Sequence, residues 1–301
     1  MTIEPPRDSG PRRPSGPRDP GDAWVVAPTG ERYWGRFGAA GLLALDARRG
    51  VLLQHRVSWS HFGGTWGLPG GARHEDESAV AGAMREATEE AGVPEGAVRA
   101  RLVSLLDLGF WSYTTVVADV VQPFEPVISD PESVELSWVP VDAVDDYPLH
   151  PGFAEAWGQL RTLLPVRPTI VVDAANVVGA VPDGWWRDRA GAAGRLLERI
   201  DRWVAPGVAG DQLSLDAHTW FPRVVVVLEG RARDAAAAAS GAVEVVAAPA
   251  SGDDEIAAQA AGAVAAGEQV TVVTSDRGLA ERVVAAGGVV HGAGWLLDRL
   301  P

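Results

Sequence analysis

Three glutamates lie within two turns of one predicted helix: Glu86, Glu89 and Glu90, in the stretch GGARHEDESAVAGAMREATEEAGV of residues 70–93. At about one hundred degrees per residue, they fall on a single face of that helix. Carboxylates three and four positions apart repel one another on a helix surface. Such a face is either a solvated acidic surface or a cation site, and oxygen ligands without Cys or His suit Mg²⁺ or Mn²⁺.

The residues around this face predict how it is positioned. Ser78 is suited to cap the N-terminus of the helix, which leaves Glu77 just outside it and free to point toward the same site. The preceding GLPGG, residues 67–71, is a glycine-rich loop whose backbone can approach a ligand closely. A second helix face is apolar and is expected to pack on the core; it comprises Val80, Met84, Ala87 and Ala91.

The spacing of these residues forms a long pattern. Gly71 is followed after five residues by Glu77, and after seven more by REATEEAGV from Arg85 to Val93. This pattern resembles the signature of Nudix hydrolases at every fixed position, and the preceding WGLPG is similar to that family as well. The resemblance covers about residues 23–161. It implies an α/β/α sandwich with a mixed sheet, which hydrolyses a nucleoside diphosphate linked to another moiety, such as an oxidised nucleoside triphosphate or ADP-ribose.

The same resemblance assigns roles to the residues of the pattern. The three glutamates would hold Mg²⁺ or Mn²⁺, with the carbonyl oxygen of Gly71 as a further ligand. Arg85 would orient the glutamates through charge-assisted hydrogen bonds. Glu77 would position a water molecule or help to deprotonate it. The metal would activate that water and neutralise charge on the phosphates.

Two candidates lie outside the pattern. Glu132, in DPESVELSW, has the spacing ahead of Trp138 that suits an additional catalytic acid or ligand, and Glu135 is its competitor. Arg56, upstream of the glycine-rich loop, is predicted to contact phosphate or base. A surface arginine without a partner is the alternative.

Aromatic residues supply a further set of candidates. Trp111 and Tyr113 are predicted to stack on a nucleotide base, whereas most of the twelve tryptophans are expected to pack in the core or at its edges. His61 and His74 flank the predicted site and are interpreted as solvent-exposed.

In the second half of the chain, acids recur where predicted strands end. Asp173 follows TIVV, Glu229 follows VVVVL and Asp276 follows VTVVTS, while Asp254 opens the helix after SGD. The strands alternate with helices, which indicates a parallel sheet covered on both faces. Ligands of such sheets bind outside the carboxyl ends of the strands, so these acids are expected to converge on Mg²⁺ or Mn²⁺. The alternative is that they cap helices and form turns.

As a set, DAAN, LEG, DDEI and VVTSDRGL resemble the PIN-like/NYN ribonucleases over residues 168–301. The resemblance implies a PIN-like α/β domain with a parallel sheet that cleaves RNA. Asp173, Asp254 and Asp276 would hold the metal and Asn176 would orient the substrate. Glu229 stands where Asp is usual. Trp185 and Trp186 are candidates for stacking on RNA bases, and burial of one of them is the alternative.

Composition limits the alternatives. A chain of 301 residues suggests two domains, and PVRP at residues 165–168 marks the break between residues 23–164 and residues 168–301. Residues 1–22 are rich in Pro, Gly and Arg, which predicts a disordered tail. The chain has no cysteine, which excludes thiolate chemistry. The absence of a long apolar run and of a signal core predicts a cytoplasmic protein without a membrane partner, and the oligomeric state is not predicted.

Two readings besides a two-enzyme fusion remain open. The first half is alternatively a module that senses a nucleotide and regulates the second half. The second half is alternatively an interaction platform, because a net charge of −14 disfavours broad binding to nucleic acid. A dinucleotide-binding domain is disfavoured, since no glycine fingerprint follows the first strand.

Overall fold

The computed structural model describes residues 19–238 and 241–301. They divide into two compact units, of which the first runs to Leu164 and includes Asp216–Thr219, and the second comprises Pro165–Leu215 and Trp220–Pro301. Of the predicted tail, residues 1–18 lie outside the described residues, whereas residues 19–22 form a turn closed by a hydrogen bond from the Asp22 N–H to the Asp19 carbonyl, 2.9 Å long. No helix in the described part of the chain has the length and apolarity needed to cross a membrane.

The first unit contains nine short strands and two α-helices within its described residues. The strands are β1 (Trp24–Val26), β2 (Arg32–Trp34), β3 (Ala39–Asp46), β4 (Gly50–Arg56), β5 (Trp66–Gly67), β6 (Gly70–Ala72), β7 (Val98–Asp107), β8 (Ser112–Val120) and β9 (Ser133–Val139). The helices are α1 (Ala79–Ala91) and α2 (Pro151–Leu163), with a 3-10 helix at Val141–Asp146.

The main sheet of this unit is mixed, as predicted. Its strands follow the order β7-β8-β3-β4-β5, with β6 paired to β3 and β9 paired to β4. The pair β3/β8 is parallel, whereas β3/β4 and β7/β8 are antiparallel. Strands β1 and β2 form a separate antiparallel hairpin.

Helix α1 begins at the predicted cap, Ser78, and ends at Gly92. The Ser78 Oγ accepts a hydrogen bond from the Ala81 N–H, and Gly92 ends the helix with φ +63°, a left-handed conformation that favours glycine. Val80 and Met84 of the predicted core face are only half-buried, whereas Ala87 and Ala91 are buried as expected, together with Ala83. These methyl groups are small, so the helix can lie close to β3.

Residues 165–301 contain seven strands and six α-helices in their described part. The strands are β10 (Pro168–Asp173), β11 (Val208–Ala209), β12 (Thr219–Trp220), β13 (Arg223–Leu228), β14 (Glu244–Ala247), β15 (Gln269–Val273) and β16 (Val289–His291). The helices are α3 (Ala174–Gly179), α4 (Arg189–Val204), α5 (Gly210–Leu213), α6 (Gly252–Ala265), α7 (Arg277–Ala285) and α8 (Ala293–Leu297), with 3-10 helices at Trp185–Arg187 and Gly230–Ala238.

The sheet of the second unit is parallel throughout, in the order β14-β13-β10-β15-β16. Ile170 and Val172 of β10 pack with α4 on one face, whereas Val171 packs with α6 and α7 on the other. Because both faces are covered, the strands are continuous apolar runs, as the sequence predicted. The chain reaches β13 on one side of β10 and β15 on the other, so the carboxyl end of β10 is a topological switch point.

Candidate active site

The predicted helix face meets the glycine-rich loop at Glu90. The Glu90 Oε2 accepts a hydrogen bond from the Gly70 N–H, 2.9 Å long, and Glu90 is only 8% exposed. Burial raises the pKa of Glu90 to about 8, and the nearby Glu86 carboxylate raises it further. The Glu90 carboxyl is therefore held beside the loop, and the positive charge near it is too small to keep its pKa at the ordinary value.

The other three glutamates of the pattern all bind to the side chain of Arg85. Its Nε and Nη2 donate to the two carboxylate oxygens of Glu77 at 2.9 and 3.1 Å, and its Nη1 donates to Glu86 at 2.9 Å and to Glu89 at 3.2 Å. Nη2 also donates to the Ala72 carbonyl. One guanidinium thus joins three carboxylates to the backbone of β6.

Glu77 is fixed from two sides. Besides the hydrogen bonds from Arg85, its Oε2 accepts one from the His74 N–H at 2.9 Å. The hydrogen bonds from Arg85 lower the pKa of Glu77 against the opposing effect of burial. Glu77 therefore stays ionised, in contrast to Glu90.

Glu86 lies directly against Gly71. A Cβ atom at Gly71 would come within 2.6 Å of the Glu86 carboxyl, so only glycine leaves room for it. Burial raises the pKa of Glu86 to about 7, an effect that Arg85 opposes and that Glu89 and Asp22 reinforce. Asp22 precedes the hairpin, and the sequence analysis did not select it.

Of the candidates outside the helix, Glu132 and Arg56 lie near Glu90. The Glu132 carboxylate raises the pKa of Glu90 and Arg56 lowers it, whereas Glu135 is exposed on β9 opposite His55. The Arg56 Nε donates to the His61 carbonyl at 3.3 Å. The structure thus brings Glu132, rather than its competitor, toward the glutamates.

The two aromatic candidates are already engaged by the protein. The Trp111 Nε1 donates to the Trp34 carbonyl at 3.0 Å, and its ring lies 4.7 Å from that of Tyr33. The Tyr113 hydroxyl lies against Gly41, where a Cβ atom would meet it at 2.3 Å, and burial raises the pKa of Tyr113 to about 12. Tyr113 therefore borders the site, where the charges of Glu90 and Glu86 act on it, whereas Trp111 packs against the hairpin.

The chemistry of this cluster suits a hard divalent cation. Its donors are carboxylate oxygens and the backbone of a glycine-rich loop, which are the ligands that Mg²⁺ and Mn²⁺ prefer. The space beside Gly71 that a Cβ would fill is occupied by the Glu86 carboxyl. Among the described residues, no three acidic or histidine side chains are near enough to one another to hold an ion, since Arg85 draws Glu77, Glu86 and Glu89 to itself.

The acids of the second unit gather at the carboxyl end of its sheet. The Asp173 carboxylate accepts hydrogen bonds from the Asn176 N–H at 3.0 Å and from the Thr274 hydroxyl at 2.8 Å. The Asn176 Oδ1 accepts one from the Ser275 N–H at 2.9 Å. Burial raises the pKa of Asp173, and the charge of Glu229 raises it further.

The structure separates two adjacent acids at the start of α6. Asp254, the predicted ligand, is exposed and forms an ion pair with Arg282 at 2.9 Å. Asp253 is exposed as well, but partial burial raises its pKa, and the charges of Asp276 and Glu229 add to this effect. The sequence could have distinguished the two acids. Asp253 lies three residues before Ile256 and seven before Ala260, which are both buried, so it is on the helix face that packs on the sheet.

Part of this cluster also performs a structural role. The Asp276 Oδ1 accepts a hydrogen bond from the Leu279 N–H at 2.7 Å and caps α7. Asp173 caps α3 in the same way. Glu229 accepts a hydrogen bond from the Gly252 N–H at 3.1 Å at the start of α6. The acids are therefore held by helix N-termini, whereas those of the first unit are held by an arginine.

Comparison with known proteins identifies relatives of the first unit. The sequence matches the NUDIX domain family over residues 35–160. It is 51% identical over 152 residues to the protein named "Putative 8-oxo-dGTP diphosphatase 3" of Mycobacterium tuberculosis H37Rv, covering 47% of this chain and 70% of that protein. It is 40% identical over 155 residues to a nucleoside triphosphate pyrophosphatase/Nudix hydrolase fusion protein of Bifidobacterium longum, covering 48% of this chain and 32% of that one. The crystal structure of the Nudix hydrolase RenU from M. smegmatis is 47% identical and aligns with a TM-score of 0.44, covering 48% of this chain and 94% of that one.

The raised pKa values predict a pH-dependent stability of the metal-free protein. A carboxyl with a raised pKa in the folded state stabilises fully below its unfolded pKa of about 4.3, and this contribution is lost as the pH rises through the folded values near 7 and 8. We expect the melting temperature in chelator to fall between pH 5 and pH 9, as measured by calorimetry. Glu90→Gln should flatten the fall and Glu135→Gln, at an exposed position of β9, should not; equal slopes in all three proteins would contradict the assignment.

Proposed function

Since the chain belongs to the Nudix hydrolase family, we propose that its first unit hydrolyses an oxidised purine nucleoside triphosphate to the nucleoside monophosphate and diphosphate. The chain is an enzyme that acts on phosphoanhydride bonds, as its family and its relatives named as diphosphatases establish. The choice of substrate is supported by the relative of 51% identity whose name refers to 8-oxo-dGTP. The observation that carries the proposal is the cluster of Glu77, Glu86 and Glu89 on Arg85, beside the buried Glu90.

Nudix hydrolases use divalent metal ions, and in this chain Mg²⁺ or Mn²⁺ would be held by the three helix glutamates and the Gly71 carbonyl. When bound, such an ion lowers the pKa of a water molecule and neutralises phosphate charge. In hydrolysis, the water oxygen bonds to phosphorus, the bridging P–O bond breaks, and the proton of the water passes to a base. Glu77 and Glu132 are the candidates for that base, Glu77 because it stays ionised and Glu132 because it lies near Glu90.

Two arginines have different tasks in this proposal. Arg85 is a positioning residue, because its donors are all committed to Glu77, Glu86, Glu89 and a backbone carbonyl. Arg56 is the candidate for contacting substrate phosphate, because its charge acts on the Glu90 carboxyl and its Nε donates to the His61 carbonyl in a neighbouring loop. Arg56 would thus bind the negative charge of the substrate beside the glutamates.

A nucleotide panel with Mg²⁺ or Mn²⁺ tests this function. We expect the full chain to hydrolyse 8-oxo-dGTP faster than dGTP or ADP-ribose, and Glu90→Gln to reduce kcat by about three orders of magnitude or more. Glu135→Gln, on the exposed side of β9, should remain within a factor of two of the wild type. Wild-type turnover in Glu90→Gln would remove the metal role of that residue. Tight nucleotide binding without turnover of any member of the panel would favour the sensing module.

We further propose that residues 168–301 form a separate domain that binds a divalent cation and cleaves single-stranded RNA, as the PIN-like resemblance implies. The specific support is the coupling of Asp173, Glu229, Asp253 and Asp276 at the switch point of a parallel sheet. Asp253 takes the place that the sequence analysis gave to Asp254, and Asn176 is held at the same edge by Ser275. An interaction platform without catalysis is the alternative.

Neutral variants distinguish the cation site from helix capping. Asn caps helices about as well as Asp, so Asp276→Asn should retain the fold while removing a charge. We expect Mn²⁺ to raise the melting transition of the second unit in the wild type and in Asp254→Asn, but not in Asp253→Asn or Asp276→Asn. Calorimetry of the full chain measures these shifts, and RNA cleavage is assayed in parallel. If Mn²⁺ does not shift the melting transition of the wild type, the cation site is contradicted and the acids act only as helix caps.

A further inference from the structure

The segment 19–36, called the N-terminal strap below, lies almost entirely before the residues that match the family. It is nevertheless attached to the active-site elements by its backbone. A Cβ atom at Gly21 would meet the Arg73 carbonyl at 2.1 Å, so the strap crosses the segment between β6 and α1 at very close range. The Asp19 carboxylate lies 3.8 Å from the His74 ring nitrogen in the same segment.

The strap also reaches the aromatic side chains on both sides of the glutamates. On one side, Tyr33 packs on Trp111 and the Trp34 carbonyl accepts the Trp111 N–H. On the other side, the Trp24 ring lies 5.4 Å from that of His61 in the loop between β4 and β5. The hairpin of β1 and β2 therefore bridges two loops that flank the site.

The charges show that the bridge lies near the reacting end of the site. Asp22, two residues before Trp24, raises the pKa of Glu86. Burial lowers the pKa of His61, and the charge of Arg56 lowers it as well. The same arginine lowers the pKa of Glu90. Asp22 of the strap thus interacts electrostatically with Glu86, and the strap's neighbour His61 interacts with Arg56, the arginine that acts on Glu90.

The aromatic rings that the hairpin brings together differ in how far they are exposed for stacking on a ligand. Trp111 packs on Tyr33, and its indole N–H is bonded to the Trp34 carbonyl. Trp24 contacts the Trp34 and His61 rings edge to face, at 5.2 and 5.4 Å between centroids. It nevertheless remains 36% exposed, and His61 is exposed as well. Arg32 lies over the Trp24 ring, 4.8 Å from its centroid, and leaves an aromatic and cationic surface at the rim of the site.

We propose that Trp24, with His61, forms the surface on which the substrate's purine base stacks, so that the N-terminal strap determines base specificity. This inference rests on the proposed hydrolysis of a nucleotide. Arg56 donates a hydrogen bond to the His61 carbonyl and its charge acts on Glu90, so phosphates bound by Arg56 would place the base near His61. A purine offers a larger π face than a pyrimidine, and stacking on an aromatic side chain favours it accordingly.

The experiment compares four variants of the full chain. Trp24→Ala removes the ring, Trp24→Phe retains an aromatic face, and His61→Ala removes the second ring from a different element. Val26→Ala is the matched control, because Val26 lies on the same strand and is 61% exposed. Kinetics are measured on the best purine and pyrimidine nucleotides of the panel, and calorimetry measures binding of a non-hydrolysable α,β-methylene analogue of dGTP.

Loss of a stacking ring should act on binding. We expect Trp24→Ala to raise KM and Kd for the purine nucleotide about tenfold, with kcat changed less than threefold, and to reduce the purine preference. His61→Ala should act in the same direction, Trp24→Phe should restore most of the affinity, and Val26→Ala should equal the wild type. A merely structural role of Trp24 would lower the melting temperature and the turnover of both nucleotides equally.

The outcomes separate this inference from the proposed function. Purine affinity within twofold of the wild type in both Trp24→Ala and His61→Ala overturns the inference while hydrolysis stands. Absence of turnover in the wild type, combined with analogue binding that depends on Trp24, overturns the hydrolysis and supports the inference. Absence of both turnover and binding overturns both.

Discussion

The cost of removing carboxylates from water governs the first unit. Glu90 is almost fully buried and is reached by a single backbone N–H, that of Gly70, so its uncharged form is favoured near neutral pH. The neighbouring Glu86 is kept in place by Arg85 and by the lack of a side chain at Gly71. A site of this kind stores electrostatic free energy that a bound cation releases.

Several features of the fold serve this arrangement. The alanine face of α1 brings the helix close to β3, and β3 pairs with β6, which carries Gly70 and Gly71. Arg85 bonds the carbonyl of Ala72 at the end of β6, so the same side chain fixes the glutamates and their distance from the loop. The sheet, the helix and the loop therefore position the acids together.

The second unit solves a similar problem by other means. Asp173 and Asp276 accept hydrogen bonds from the N-termini of α3 and α7, where the helix dipole favours negative charge. Thr274 adds a hydroxyl to Asp173. Because neutral groups hold these acids, their mutual repulsion persists, as the raised pKa of Asp253 indicates.

The family resemblance implied the mixed sheet, the alternation of strands and helices predicted the parallel sheet, and Ser78 predicted the N-cap of α1. They did not predict which acid of a set is buried, because Glu89 and Glu90 differ only in how α1 meets the loop. Asp253 and Asp254 could have been separated by the period of α6, whereas the position of Trp24 depends on a hairpin that contacts residues far along the chain. Contacts of that kind have no signal in local composition.

The claim that a cation replaces protons on buried glutamates is tested most directly by proton release. Metal ligands must be deprotonated, so Mg²⁺ binding at pH 6.5, below the folded pKa values near 7 and 8, should release protons. Calorimetric titrations in buffers of different ionisation enthalpy count them. We predict release of about one proton or more per bound ion in the wild type, and weaker binding with smaller release in Glu90→Gln. Binding without proton release, or equal release in both proteins, would contradict the account.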